Sequence, residues 1–204
     1  MAQDVYNIQK SDILGPSLEG GWILKDLYIN KEGLKIGVYS RFAYGVTEYA
    51  LVNKGSSTKG DWVNNLQQPA GFSTDMSDSI EFAKKFVEEH NGKAVTMIGH
   101  SKGGGEAIAN ALATNQNAIT FNTSKPNYKL YGLQKEYKNY SAVMRHYVVD
   151  GDVLTRTIGT PSIGELILLE SQHPMSFFDS LKTIIEKSMM NHAMESVINA
   201  LKNR

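Results

Sequence analysis

Reading apolar and polar positions along the chain gives an alternation of strands and helices. Gly33 to Tyr39 alternates apolar with polar and predicts a strand, and Glu48 to Val52 predicts a second, closed by a loop from Lys54 to Gly60. From Ser77 to Glu89 the period changes: Ile80, Ala83 and Val87 recur at helical spacing, with Ser77 placed to cap the start. Ala94 to Ile98 is a short unbroken apolar run between Gly92 and Gly99, the pattern of a strand buried on both faces. Gly104 to Leu112 follows as a helix, its stripe formed by Ala107, Ile108, Ala111 and Leu112. Strands are expected at Ala118–Phe121, Arg145–Val149 and Leu166–Leu169, and a closing helix at Ala193–Leu201. Residues 1–32 carry no clear period. The expected class is α/β, a mainly parallel sheet with helices on both faces, and no repeat or linker divides residues 1–204, so a single domain is expected.

Composition narrows the functions. Hydrophobic residues make up 41% and charged residues 21%, ordinary for a globular chain. Basic and acidic residues balance at 21 each, so the charge excess of a nucleic-acid binder is missing and no such partner is expected. There is no cysteine, which removes disulfides, thiolate metal sites and thiol nucleophiles. Neither a basic-then-apolar leader nor an apolar run of about 20 residues is visible. The expectation is a chain that stays in the cytoplasm or is exported by a signal-independent route.

The chemistry concentrates at Gly99-His100-Ser101-Lys102-Gly103, a G-x-S-x-G string directly after an apolar strand and directly before a helix. In that setting the string forms a nucleophile elbow, in which a sharp turn lifts the serine hydroxyl above the carboxyl edge of the sheet, beside a helix amino terminus that favours developing negative charge. A phosphate loop would need G-x-x-x-x-G-K-[S/T], and a dinucleotide loop G-x-G-x-x-G; neither string occurs. The serine-first chain order of this architecture puts the acid and then the base later in the chain. Asp150 and Asp152 both follow the strand at Arg145–Val149, and His173 and His192 both lie beyond them.

These motifs resemble the class 3 lipases, the fungal-type enzymes and their bacterial relatives, within the α/β-hydrolase superfamily. The likeness runs from about Gly33 to the carboxyl terminus. Its blocks are Tyr49 to Ser56 with Asp61-Trp62 and Asn65-Leu66, then the elbow, then Thr120-Phe121-Asn122-Thr123. Asn53-Lys54 departs from the family's usual Phe-Arg. The resemblance implies a catalytic set of Ser101, Asp152 and His192: Asp152-Val153 matches the family's D-x-V segment, and Asn191 to Ile198 its histidine segment. It also implies an oxyanion hole from Ser56 and the backbone N–H of Lys102. The activity implied is a serine lipase or phospholipase on lipid acyl esters that needs no metal or cofactor, with transient contact at a membrane surface. The alternatives are an esterase, thioesterase or acyltransferase for small soluble substrates, or a ligand-binding member without turnover. A tyrosine cluster (Tyr128, Tyr131, Tyr137 and Tyr140) could cover an acyl pocket or simply its own sheet.

Overall fold

The computed structural model describes residues 1–56 and 74–204. Among the described residues seven strands lie side by side in chain order: β1 Ile23–Ile29, β2 Lys35–Ala43, β3 Val46–Asn53, β4 Ala94–His100, β5 Asn117–Phe121, β6 Met144–Val149 and β7 Glu165–Leu169. The first three form an antiparallel meander, and β3 to β7 run parallel. Tyr44 and Gly45, both at positive φ, close the tight β2–β3 turn. The helices are α1 Thr74–Glu89, α2 Lys102–Thr114, α3 Gln134–Asn139, α4 Val153–Ile158, α5 Leu181–His192 and α6 Met194–Lys202.

Strand alternation sorts the apolar residues into layers on the two faces. Ile36, Val38, Leu51, Val95 and Met97 face α1 and α2, packing on Ile80, Ala83, Phe86, Ala107 and Ile108. Tyr39, Ala50, Val52 and Ile98 face the other way and are covered by the amino-terminal residues Val5 and Ile8. Farther along that sheet, Val149 and Leu169 pack on Val197 and Ala200 of α6. The parallel strands share one direction, so the segments leaving β3 to β7 emerge along one edge.

Four local expectations change. Ser77, expected to cap the helix start, lies inside α1, which begins at Thr74. A strand forms at Ile23–Ile29 within the segment that showed no period, with only Leu24 and Leu27 buried. The strand expected from Gly33 starts at Lys35, which pairs with β1, and runs to Ala43, since Ile36 to Ala43 pair with β3. His192, expected to open the last helix, instead closes α5; Ala193 is extended (φ −60°, ψ 144°) and separates it from α6. The tyrosine cluster covers its own layer: Tyr128 stacks on Tyr137 with ring centroids 4.3 Å apart, and Tyr140 donates to the Gln116 carbonyl. No helix among the described residues is long and apolar enough to cross a membrane.

Candidate active site

Ser101 sits between β4 and α2 with φ 58° and ψ −128°, a backbone conformation costing an L-residue about 1–3 kcal/mol. The surroundings over-determine it. Its N–H donates to the Phe121 carbonyl (3.1 Å), and its own carbonyl accepts from the N–H groups of Gly104 (3.0 Å) and Ser124 (3.0 Å). The flanking glycines allow the turn to close: a Cβ on Gly99 would lie 2.1 Å from the Gly103 oxygen, and one on Gly103 would lie 2.4 Å from the Asn53 oxygen.

The Ser101 hydroxyl lies 2.9 Å from His192 Nε2, and His192 Nδ1 lies 2.6 Å from Asp152 Oδ1. An ionised carboxylate only accepts, so Nδ1 carries the proton and the unprotonated Nε2 accepts from the serine hydroxyl. Both partners are buried, Asp152 completely and His192 all but 6%. Asp152 caps α4, its second oxygen accepting from the Thr155 N–H at 2.7 Å, which fixes the carboxylate that faces the imidazole.

The structure brings together Ser101, Asp152 and His192 and leaves their rivals outside. Asp150 is exposed. His173 is tied through its backbone N–H and carbonyl to the Asn191 side chain (2.9 and 3.1 Å). His146 is held inside the sheet by Thr120 and the Ile163 carbonyl, both at 2.7 Å, and His90 by the Phe86 carbonyl at 2.9 Å. Lys102 is the first residue of α2, so its N–H has no acceptor within the helix. Ser56 is exposed just beyond β3. Next to it, a Cβ on Gly55 would lie 3.3 Å from Ser101 Cβ, so this backbone passes directly beside the nucleophile. Ser57, Thr58, Asp61, Trp62, Asn65 and Leu66 fall outside the described residues.

Two groups of polar residues escaped the sequence reading. Asn122, at positive φ, donates to the carbonyls of Asn191 (2.9 Å) and His192 (3.0 Å) and accepts from the Val149 N–H (2.9 Å), so β5, β6 and the histidine junction meet on one side chain. The signal was its place in the Thr120–Thr123 block. The other group is a buried network behind the elbow. Asn53 donates to Ser79 (2.7 Å) and Glu106 (3.1 Å), and Asn110 joins Asn53 and Ser79. The Lys102 ammonium pairs with Asp75 and lies 3.5 Å from Glu106. Its signal was the single acidic residue, Glu106, in an Ala- and Gly-rich helix. A cavity of about 570 Å³ lies elsewhere, between the amino-terminal residues and α6, lined among others by Met1, Ile98, Phe121 and Met194. None of the three hydrogen-bonded residues lines it, so the serine–imidazole geometry, not this cavity, locates the candidate site. Among the described residues no cluster of three or more His, Cys, Asp or Glu could hold a metal ion.

Residues 12–197 match the phospholipase-like family of Tle-like phospholipase domains. The chain belongs to that family. It is also similar to an extracellular phospholipase A1 of Serratia liquefaciens, 27% identical over 221 residues that take in 98% of this chain and 68% of the relative. Its fold is that of the native Rhizomucor miehei lipase propeptide complex, with a TM-score of 0.65 at 14% identity, covering 94% of this chain and 75% of that one. A deletion mutant of the same complex aligns with a TM-score of 0.58, covering 84% and 66%. The chain thus spans about two thirds of the length of its phospholipase A1 relative. The expected architecture, a mainly parallel sheet flanked by helices, is the one found, and it is shared with the Rhizomucor miehei lipase.

Proposed function

We propose that this member of a phospholipase-like family cleaves carboxylic esters of lipids, phospholipids foremost, by acyl transfer through Ser101. The observation that carries the reading is the hydrogen-bonded chain from Ser101 Oγ through the His192 ring to Asp152, set on an elbow at the sheet edge. The similarity to a phospholipase A1 directs the substrate towards phospholipid acyl esters.

In the proposed reaction His192 Nε2 takes the Ser101 proton as Oγ attacks the ester carbonyl carbon. The carbonyl π electrons move onto its oxygen, and the tetrahedral oxyanion is held by the Lys102 N–H and by Ser56. The oxyanion collapses, the C–O bond to the alcohol breaks, and the imidazolium returns the proton to the departing oxygen. Water repeats the sequence on the acyl-enzyme and releases the fatty acid. Asp152 stays ionised throughout, orienting the imidazole and stabilising its cationic form.

Purified protein should react with a fluorophosphonate and hydrolyse p-nitrophenyl esters, and Ser101→Ala should abolish both while retaining the thermal transition. Labelling that persists in Ser101→Ala would end the assignment. For the oxyanion hole, Ser56→Ala is expected to lower kcat by about 10- to 1000-fold with little change in KM, since such a donor acts mainly in the transition state. An unchanged kcat would reduce Ser56 to a turn residue.

A further inference from the structure

Beside the serine–histidine–aspartate chain runs a second polar chain that reaches the strand end before Ser56, the elbow and the backbone of His192. Tyr6 lies in a short 3₁₀ turn, Asp4–Tyr6. The turn is pinned to the sheet: Val5 is fully buried, and Tyr39 donates to Asp4 at 2.6 Å. The Tyr6 hydroxyl is 2.9 Å from His100 Nδ1, and His100 Nε2 is 2.7 Å from the backbone carbonyl of His192. A carbonyl only accepts, so Nε2 bears the ring proton and Nδ1 accepts from the tyrosine. The same carbonyl takes a second hydrogen bond from Asn122.

The ring also stays neutral. Burial, reinforced by the adjacent His192 ring, holds the His100 pKa down at about 3. The Tyr6 pKa is pushed up to about 12, chiefly by burial, and the backbone N–H of Gly55 hydrogen-bonds to its oxygen. A Cβ on Gly55 would come within 2.4 Å of that oxygen, a measure of how closely the phenol presses on the strand end leading to Ser56. One hydroxyl therefore contacts the backbone next to Ser56 and the residue before Ser101. Through His100 it also reaches the backbone of His192.

We infer that Tyr6 and His100 are positioning residues that set the spacing between the oxyanion strand, the elbow and the histidine junction. The inference rests on the acyl-transfer reading above. Neither side chain transfers a proton in the reaction. Their effect is on geometry, where a displacement of about 1 Å can cost about 100-fold in rate.

The test begins with Tyr6→Phe, which removes one oxygen and keeps the ring. On a soluble p-nitrophenyl ester, at a temperature where the variant remains folded, kcat should fall by about 10- to 100-fold, while KM stays near that of the parent. His100→Gln can still present an amide N–H near the Nε2 position to the His192 carbonyl and should retain more activity than His100→Leu. Tyr6→Phe combined with His100→Leu should be no worse than His100→Leu alone, because both changes break one chain. A wild-type kcat in Tyr6→Phe overturns the inference, as do losses that simply multiply in the double variant. Imidazole ¹⁵N NMR of the parent protein gives a readout independent of turnover. His100 should remain neutral with its proton on Nε2 down to pH 5, and a proton on Nδ1 would contradict the geometry whatever the substrate. Esterase activity surviving in Ser101→Ala would instead defeat the acyl-transfer reading itself.

Discussion

Glu106 stands in α2 among Gly103, Gly104, Gly105, Ala107 and Ile108, all buried, and is itself fully buried. Burial drives its pKa up from 4.5 to about 7, against the pull of Lys102 and the Asn53 hydrogen bond, while the Asp75 carboxylate adds to the rise. A carboxyl whose folded pKa exceeds its unfolded one contributes stability that is fully present below about pH 4.5 and disappears as pH rises through about 7. His100 acts in the opposite sense: lowered from 6.5 to about 3, it contributes stability above pH 6.5 that is lost as pH falls towards 3. Because the two overlap, wild-type stability alone would mask either, whereas Glu106→Gln isolates one. Measured by urea unfolding from pH 4 to 8, the stability of wild type relative to Glu106→Gln should decline by about 3 kcal/mol between pH 4.5 and 7, at 1.36 kcal/mol per pKa unit. A flat difference would mean that Glu106 ionises normally. Sequence showed the charge in an apolar helix but not its setting, since its hydrogen-bond donor Asn53, and Asp75 across Lys102, are brought to it only by tertiary packing.

Legibility in the sequence differs sharply from element to element. β4 and the elbow were readable because an apolar run ending in glycine states both burial and turn. α5 was not, and its burial explains why: Leu181, Ile185 and Met190 are exposed, while Ser188, Asn191 and His192 are buried. A helix whose polar residues point inward defeats a search for an apolar stripe. Those inward polar groups are what fix the histidine junction. Asn191 donates to Ser171 (2.9 Å) and to the His173 carbonyl, and accepts from the N–H groups of Gln172 and His173, while Asn122 grips the carbonyls of Asn191 and His192. Asn122→Ala removes that grip and leaves the Val149 N–H without its acceptor. It should cost about 2–4 kcal/mol of stability by urea unfolding, at about 1–3 kcal/mol per buried group stranded. It should also lower kcat at temperatures where the variant remains folded. Full activity in a stably folded Asn122→Ala would show that the junction holds its geometry without this side chain.

The exposed side of α5 gains its meaning from the layout of the sheet. Because β3 to β7 are parallel, Ser101 after β4, Asp152 after β6 and the segment from β7 to α5 all leave the same edge. In that last segment Phe177 and Phe178 are 98% and 92% exposed, and Leu181 and Ile185 continue the apolar surface onto the helix that ends at His192. Two adjacent, exposed phenylalanines in the segment leading into the helix that ends at His192 would suit contact with a lipid surface if the proposed lipid substrate is correct. Full burial of one such side chain is worth about 1.5–3 kcal/mol, so removing both should weaken vesicle binding by about 10- to 1000-fold even if they bury incompletely. The variant Phe177→Ser/Phe178→Ser is expected to lose phospholipid hydrolysis on vesicles by a factor in that range. Its kcat and KM on a soluble p-nitrophenyl ester should stay unchanged, because neither ring belongs to the Ser101–His192–Asp152 chain. Sedimentation with phosphatidylcholine vesicles, carried out in the Ser101→Ala background so that the lipid stays intact, should show the same loss. The loss should persist in high salt, since burial of apolar surface is not screened as charge attraction is. Equal losses on the soluble and vesicle substrates would place the phenylalanines in the fold of the site, and unchanged vesicle binding would leave this surface for some other partner.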